Sequence, residues 1–211
     1  MLQVHHALVA ASRSYNQGMN TQRFTQFLDV MDALVARTAS EPEILDAGEA
    51  ALKALIAHDD WLPAEYAAPK PDKYQQYLLY ADPAGRYSVQ SFVWAPGQGT
   101  PVHNHTVWGL VGVLRGEERC EEYPAPGAAP MQCGHLHRLP RGSVDRVSPA
   151  IGDWHAVSNA RADAPSISIH VYGADIGRVT RSVWDAATQQ VRPFVSGYSN
   201  DAPWIAPRSK P

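Results

Sequence analysis

Two histidines one residue apart, His103 and His105, open an apolar run punctuated by Gly109, Gly112 and Gly116 in the stretch PVHNHTVWGLVGVLRGEE, residues 101–118. On a strand, side chains at i and i+2 project from one face, so two imidazoles at that spacing converge on a single point. A third donor from a neighbouring strand would complete a facial set around a first-row ion and leave the remaining positions open for other ligands. His155, in the stretch IGDWHAVSN, is the best-placed candidate. A second alternation, SISIHVY at residues 166–172, puts Ser168, His170 and Tyr172 on one face and Ile167, Ile169 and Val171 on the other. Such a strand can turn its polar face into a barrel lumen while its apolar face packs under helices. It lacks the sharp strand-to-helix turn that exposes a hydrolase serine. A further His-x-His, His135-Leu136-His137, has neither the preceding glycine spacing nor the glycines behind it, and is expected to be a solvated strand face.

The elements that must position these groups are legible from periodicity. Phe24, Phe27, Leu28, Met31, Leu34 and Val35 recur at spacings of three and four, which marks one face of an amphipathic helix. Ser40-Glu41-Pro42-Glu43 reads as a capping box with proline in the first turn, opening a second helix that carries Ile44, Leu45, Leu52, Leu55 and Ile56. After Pro71 the texture changes to short runs rich in Val, Ile, Tyr and Trp, separated by turn signals such as Asp82-Pro83-Ala84-Gly85 and Pro96-Gly97-Gln98-Gly99. That is an all-β texture to about residue 195, suited to a sandwich or barrel with the helices outside. Residues 1–19 have weak periodicity and read as an extension, and residues 20–211 as a single domain whose tail from Ser196 is extended over the surface.

A chain of 211 residues can bury enough apolar surface to fold without a structural metal, so a bound ion would serve chemistry. A formal net charge of -3 gives no footprint for nucleic acid or an anionic membrane, which points to a small-molecule partner. Cys120 and Cys133 have neither CxxC spacing nor a disulfide framework, and the reading is a reduced, cytoplasmic protein.

The histidine motifs resemble those of the cupin superfamily, which implies a mainly β, jelly-roll barrel. Gly97, His103, His105, position 109 and Gly116 follow the spacing of the first cupin motif, and Pro149, Gly152, His155 and Asn159 that of the second. Where most cupins supply a carboxylate ligand this sequence has Gly109, which leaves His103, His105 and His155 as an all-histidine metal set; Glu117 and Glu118 lie beyond Gly116 and are expected on a turn. That glycine, together with Ser-x-His-x-Tyr, resembles the thiol dioxygenases of the cysteine dioxygenase type over roughly residues 20–195. The resemblance implies an iron(II) enzyme that inserts both atoms of O2 into a thiolate to give a sulfinate. It also implies a relay of Ser168, His170 and Tyr172, with the Tyr172 hydroxyl near the reacting oxygen. In the animal enzymes a cysteine near the first motif is joined to that tyrosine; with Gly109 there, Tyr172 is expected to be unmodified, the bacterial pattern. The animal enzymes also hold the substrate carboxylate with an arginine of the first strand, whereas Tyr74-Gln75-Gln76 offers Gln76, as in the branch resembling 3-mercaptopropionate dioxygenase. Arg181 matches the arginine of that branch. The expected substrate is therefore 3-mercaptopropionate, with cysteine slower. The rivals are cysteine dioxygenase proper, a cupin using Zn, Mn or Ni for hydrolysis or isomerisation, and a non-catalytic barrel that binds a metal or small acid.

Overall fold

The computed structural model describes residues 21–37, 39–127 and 131–208. The expected N-terminal extension, residues 1–19, lies outside the described residues.

Helix α1 (residues 21–36) and helix α2 (Glu41–Ile56) precede ten strands. The capping box is formed: the Ser40 backbone N–H donates to the Glu43 carboxylate at 2.8 Å and the Ser40 hydroxyl does so at 2.7 Å. The strands are β1 (Gln75–Ala81), β2 (Ser88–Trp94), β3 (Gly109–Arg115), β4 (Glu117–Tyr123), β5 (His135–Pro140), β6 (Val144–Val147), β7 (Trp154–Asn159), β8 (Ser166–Tyr172), β9 (Arg181–Asp185) and β10 (Gln190–Phe194). A five-stranded sheet runs β1-β2-β8-β3-β6, a three-stranded one β5-β4-β7, and β9 pairs with β10. Residues 99–104 bridge β7 to β9: the Thr100 N–H donates to the Val157 carbonyl at 2.8 Å, and the Trp184 N–H to the Val102 carbonyl at 2.8 Å. The smaller sheets are thereby joined opposite the large one, and the whole is the mainly β, cupin-type barrel with helices outside.

The alternation of β8 divides the core in two. Ile167, Ile169 and Val171 pack with Leu79, Val89 and Leu110 under the two helices, while Tyr172 joins Phe92, Trp94, Val113, Cys120 and Val157 inside the barrel. Gly112 lets α2 approach closely, because a Cβ there would stand 2.9 Å from Leu52 Cγ. After β10 the chain lies against β1 and α1: the Ser199 N–H donates to the Gln76 carbonyl and the Ile205 N–H to that of Leu79, and Trp204 stacks on Phe24 at 5.0 Å. Among the described residues no helix is long and apolar enough to cross a membrane.

Candidate metal centre

His103, His105 and His155 converge, with one potential ligand atom from each within 4.8 Å of the others. The route differs from simple strand alternation. His103 and His105 lie on an irregular segment before β3, with His103 forming isolated bridges to His155 and Val183. His103 and His155 exchange backbone hydrogen bonds of 2.9 and 3.0 Å, which ties the segment to β7. Thr106 then takes a positive φ of 63°, an uncommon conformation for a β-branched residue. Asp153 holds this turn: its carboxylate accepts from the backbone N–H of His105 and of Thr106, each at 2.9 Å.

In each ring Nδ1 is already engaged. His103 Nδ1 lies 3.0 Å from the Pro101 carbonyl, His105 Nδ1 2.9 Å from Asp153, and His155 Nδ1 3.7 Å from the Cys120 sulfur. Donating Nδ1–H to an acceptor fixes the tautomer that leaves Nε2 with a free lone pair. The Nε2 of His105 is fully buried and has no hydrogen-bond partner. A buried polar atom without a partner is costly, and a metal ion is the natural partner for that lone pair together with those of the two neighbouring imidazoles. Burial also lowers the pKa of all three, that of His103 to about 4, so that the imidazoles stay neutral, as ligation requires. The donor set fits a divalent first-row ion.

The place of the missing carboxylate is filled by Tyr172. A Cβ at Gly109 would stand 2.6 Å from Tyr172 Cδ1 and 2.8 Å from Val147 Cγ2, so only glycine admits the ring. Tyr172 stacks on His105 with centroids 5.2 Å apart and 17° between planes. Ser168 Oγ lies 2.8 Å from His170 Nε2, and His170 Nδ1 lies 2.8 Å from the Tyr172 hydroxyl. The Trp94 indole N–H donates to Ser168 at 3.3 Å, and Phe92 stacks on His170 at 4.0 Å. Burial lowers the pKa of His170 to about 3 and raises that of Tyr172, so both are uncharged.

A cavity of about 240 Å³ lies against this cluster, lined by His103, His155, His170, Tyr172, Gln76 and Arg181 and walled by Tyr74, Phe92, Trp94 and Phe194. Arg181 is buried, donates to the Ser196 hydroxyl at 2.8 Å and lies over the Phe194 ring at 4.6 Å. Its Nε has no partner, and among the described residues no carboxylate pairs with it. Its charge acts on His103, His105, His170, Tyr172 and Tyr74. The Gln76 amide nitrogen is likewise buried without a partner.

One expectation about the acids after Gly116 needs correcting. Glu117 and Glu118 are not on a turn: they begin β4, and Glu118 points inward with no exposure. The turn is made earlier, at Gly116 with a φ of 74°, so the strand phase places 118 and 120 inside. The residues missed were Asp153, Trp94, Phe92 and Phe194. Only Asp153 left a signal, as an acid two residues before a ligating histidine. The second His-x-His lies on β5, where His135 is ringed by solvent and His137 Nε2 meets Asp145 at 3.1 Å.

Solved structures of similar shape include a Klebsiella pneumoniae protein described as an uncharacterized conserved protein with a double-stranded β-helix domain. It is 20% identical, with 53% of this chain and 80% of that one covered at a TM-score of 0.42. A Thermus thermophilus protein is 19% identical, with 54% and 95% covered at 0.42. A cupin superfamily protein of Desulfitobacterium hafniense is 14% identical, with 51% and 84% covered at 0.40. The description "Cysteine dioxygenase type I" matches residues 16–181, a span that runs from the first helix through the histidine cluster to the buried arginine. By that match this chain belongs to the cysteine dioxygenase type I family.

Proposed function

We propose that the protein is an iron(II)-dependent thiol dioxygenase that inserts both atoms of O2 into a small thiol carboxylate to give a sulfinate, preferring 3-mercaptopropionate to cysteine. The observation that carries this reading is the sharing of one cavity by a neutral, buried histidine cluster and a buried guanidinium without a carboxylate partner. A ferrous ion held by His103, His105 and His155 would supply the centre where thiolate and O2 are brought together. With no protein carboxylate in the set, the site retains positive charge to attract an anionic sulfur.

Arg181 is the group for the substrate carboxylate. A buried guanidinium lacks its counter-charge until an anion arrives, and the charge-assisted bond then formed is stronger than a neutral one. Gln76 adds a donor that orients the carboxylate without neutralising it. The cavity lining contains no Asp or Glu, so an ammonium group would find no anionic partner there. That favours a thiol acid without an amine. Tyr172 remains protonated because burial raises its pKa, and it can donate a hydrogen bond to charge developing on oxygen. His170 holds that hydroxyl at 2.8 Å, and the aromatic walls exclude water from the reacting groups.

The test is O2 uptake by iron-loaded protein with 3-mercaptopropionate and cysteine side by side, with sulfinate identified as product. The expected result is a higher kcat/KM for 3-mercaptopropionate. A clear preference for cysteine would overturn the substrate choice, and no thiol-dependent uptake with either would overturn the activity.

A further inference from the structure

Glu118 is the one carboxylate with no exposure among the described residues, and the site described so far does not use it. It has no exposure, and neither of its oxygens makes a full hydrogen bond. The groups that face it are Ser166 and Ser168 from β8 and the Trp94 indole from β2, all outside strict hydrogen-bond geometry. Ser166 Oγ is itself buried without a partner. Three orphaned oxygens therefore meet at the inner end of the Ser168–His170–Tyr172 relay, outside the lining of the cavity.

A protonated acid resolves all three at once. Its O–H can donate to Ser168, and its carbonyl oxygen can accept from the Ser166 hydroxyl. Ser168 already accepts from Trp94 at 3.3 Å, so a second accepted bond fills its acceptor capacity and commits its own O–H to His170 Nε2. His170 is then the Nδ1–H tautomer and donates to the Tyr172 oxygen, which frees the Tyr172 proton to point into the cavity. With Glu118 ionised, every link reverses. Ser168 turns its O–H to the carboxylate, His170 becomes the Nε2–H tautomer and donates to Ser168, and the Tyr172 hydroxyl turns to donate its hydrogen bond to His170 Nδ1, away from the cavity.

We propose that Glu118 is the terminal, positioning member of this relay, a buried carboxylic acid whose proton sets the direction in which the hydrogen bonds run and hence whether Tyr172 donates into the cavity. Burial raises its carboxyl pKa to about 8. No charge around it stabilises the anion: Ser168, Ser166 and the Trp94 indole offset the burial only in part, as uncharged donors, its cross-strand neighbours are Asn159 and Leu139, and the nearby titratable groups, Cys120, His170 and Tyr172, are all neutral. The sign follows. Below about pH 8 the relay runs toward the cavity, and above it the relay runs away.

The catalytic consequence rests on the thiol dioxygenase reading, so one arm of the test does without it. In metal-free protein, infrared spectroscopy should show a buried carboxylic acid C=O band that is absent in Glu118→Gln and that vanishes as pH rises through about 8. In the iron-loaded protein kcat should fall by about tenfold per pH unit above that point, with KM for the thiol little changed. Glu118→Leu should lose kcat at neutral pH. Glu118→Gln, whose amide donates as the acid does, should recover most of that loss and abolish the alkaline fall. A carboxylate already ionised at about pH 6, well under the raised value, or an unchanged alkaline fall in Glu118→Gln, would overturn the proposal. An intact infrared titration in a protein that oxidises no thiol would instead leave Glu118's protonation standing and bring down the activity.

Discussion

The chain carries the same His-x-His pattern twice, and the two copies do opposite things. His103-Asn104-His105 is 8% exposed at the first histidine and 0% at the second, with each Nδ1 held by an acceptor, which leaves Nε2 as the free ligand atom. His135-Leu136-His137 sits on β5 beside Glu122, whose side chain is 52% exposed, and His135 is 64% exposed. A potential ligand cluster exists there too, formed by Glu122, His135 and His137. In that cluster His135 and Glu122 are open to water, and the carboxylates of Glu122 and Asp145 are partners for the imidazoles. Spacing alone therefore does not make a metal centre. Burial, fixed tautomers and lone pairs without another partner separate the first copy from the second.

The sharpest way to break this contrast is to remove a ligand. His155→Ala, which leaves the residues of both His-x-His patterns unchanged, should reduce bound iron to near zero in anaerobically purified protein and abolish thiol-dependent O2 uptake. Full iron content in that variant would mean that the second cluster, or another site, holds the ion. Next in size is Arg181→Ala, which should leave iron content unchanged. Loss of a charge-assisted hydrogen bond of about 1.5 to 3 kcal/mol should lower kcat/KM for 3-mercaptopropionate by about tenfold to a hundredfold. Unchanged kcat/KM would remove Arg181 from the carboxylate site. Asp153→Asn tests the support of His105, and iron affinity measured by chelator competition should weaken by about 10- to 100-fold.

Acid should also distinguish the regions. His103 and His170 remain neutral in the fold because burial lowers their pKa to about 4 and about 3. The unfolded chain takes up those protons near the ordinary histidine value of about 6.5, so it binds more protons than the fold between that pH and the lowered values. Stability of the metal-free protein should thus fall as pH drops below about 6.5, by up to about 1.4 kcal/mol per pH unit for each such proton. Thermal unfolding across that range measures it. The smallest effect on the chemistry is expected from the double variant His135→Ala, His137→Ala, which should hold the same iron and turn over at the same rate, with a stability change of about 0.5 kcal/mol or less from the exposed His135 and about 1 kcal/mol from the His137–Asp145 contact.

How much could be read without coordinates follows the same logic. The helices and the inward face of β8 were legible, because helical and strand periods sort apolar from polar residues: Phe24, Leu28 and Met31 on one side, Ser168, His170 and Tyr172 on another. The three histidines were legible through motif spacing, although His103 and His105 reach the centre by a strained turn rather than by strand alternation. Glu118 was not. Its burial depends on the turn at Gly116, and a shift of one residue would have pointed it outward. Asp153, Trp94 and Phe194 escaped for a different reason, since their roles are defined only by contacts between segments far apart in sequence.

The most direct test of the account is the initial rate of thiol-dependent O2 uptake measured against iron bound per chain, in the wild type, His155→Ala, and the double variant of His135 and His137. The rate should rise in proportion to iron, saturate at one ion per chain, and be indistinguishable in the double variant, with one O2 consumed for each thiol converted to sulfinate. His155→Ala should show no uptake at any iron level. Uptake that survives in His155→Ala, or that disappears in the double variant, would contradict the assignment of the buried cluster as the seat of the chemistry.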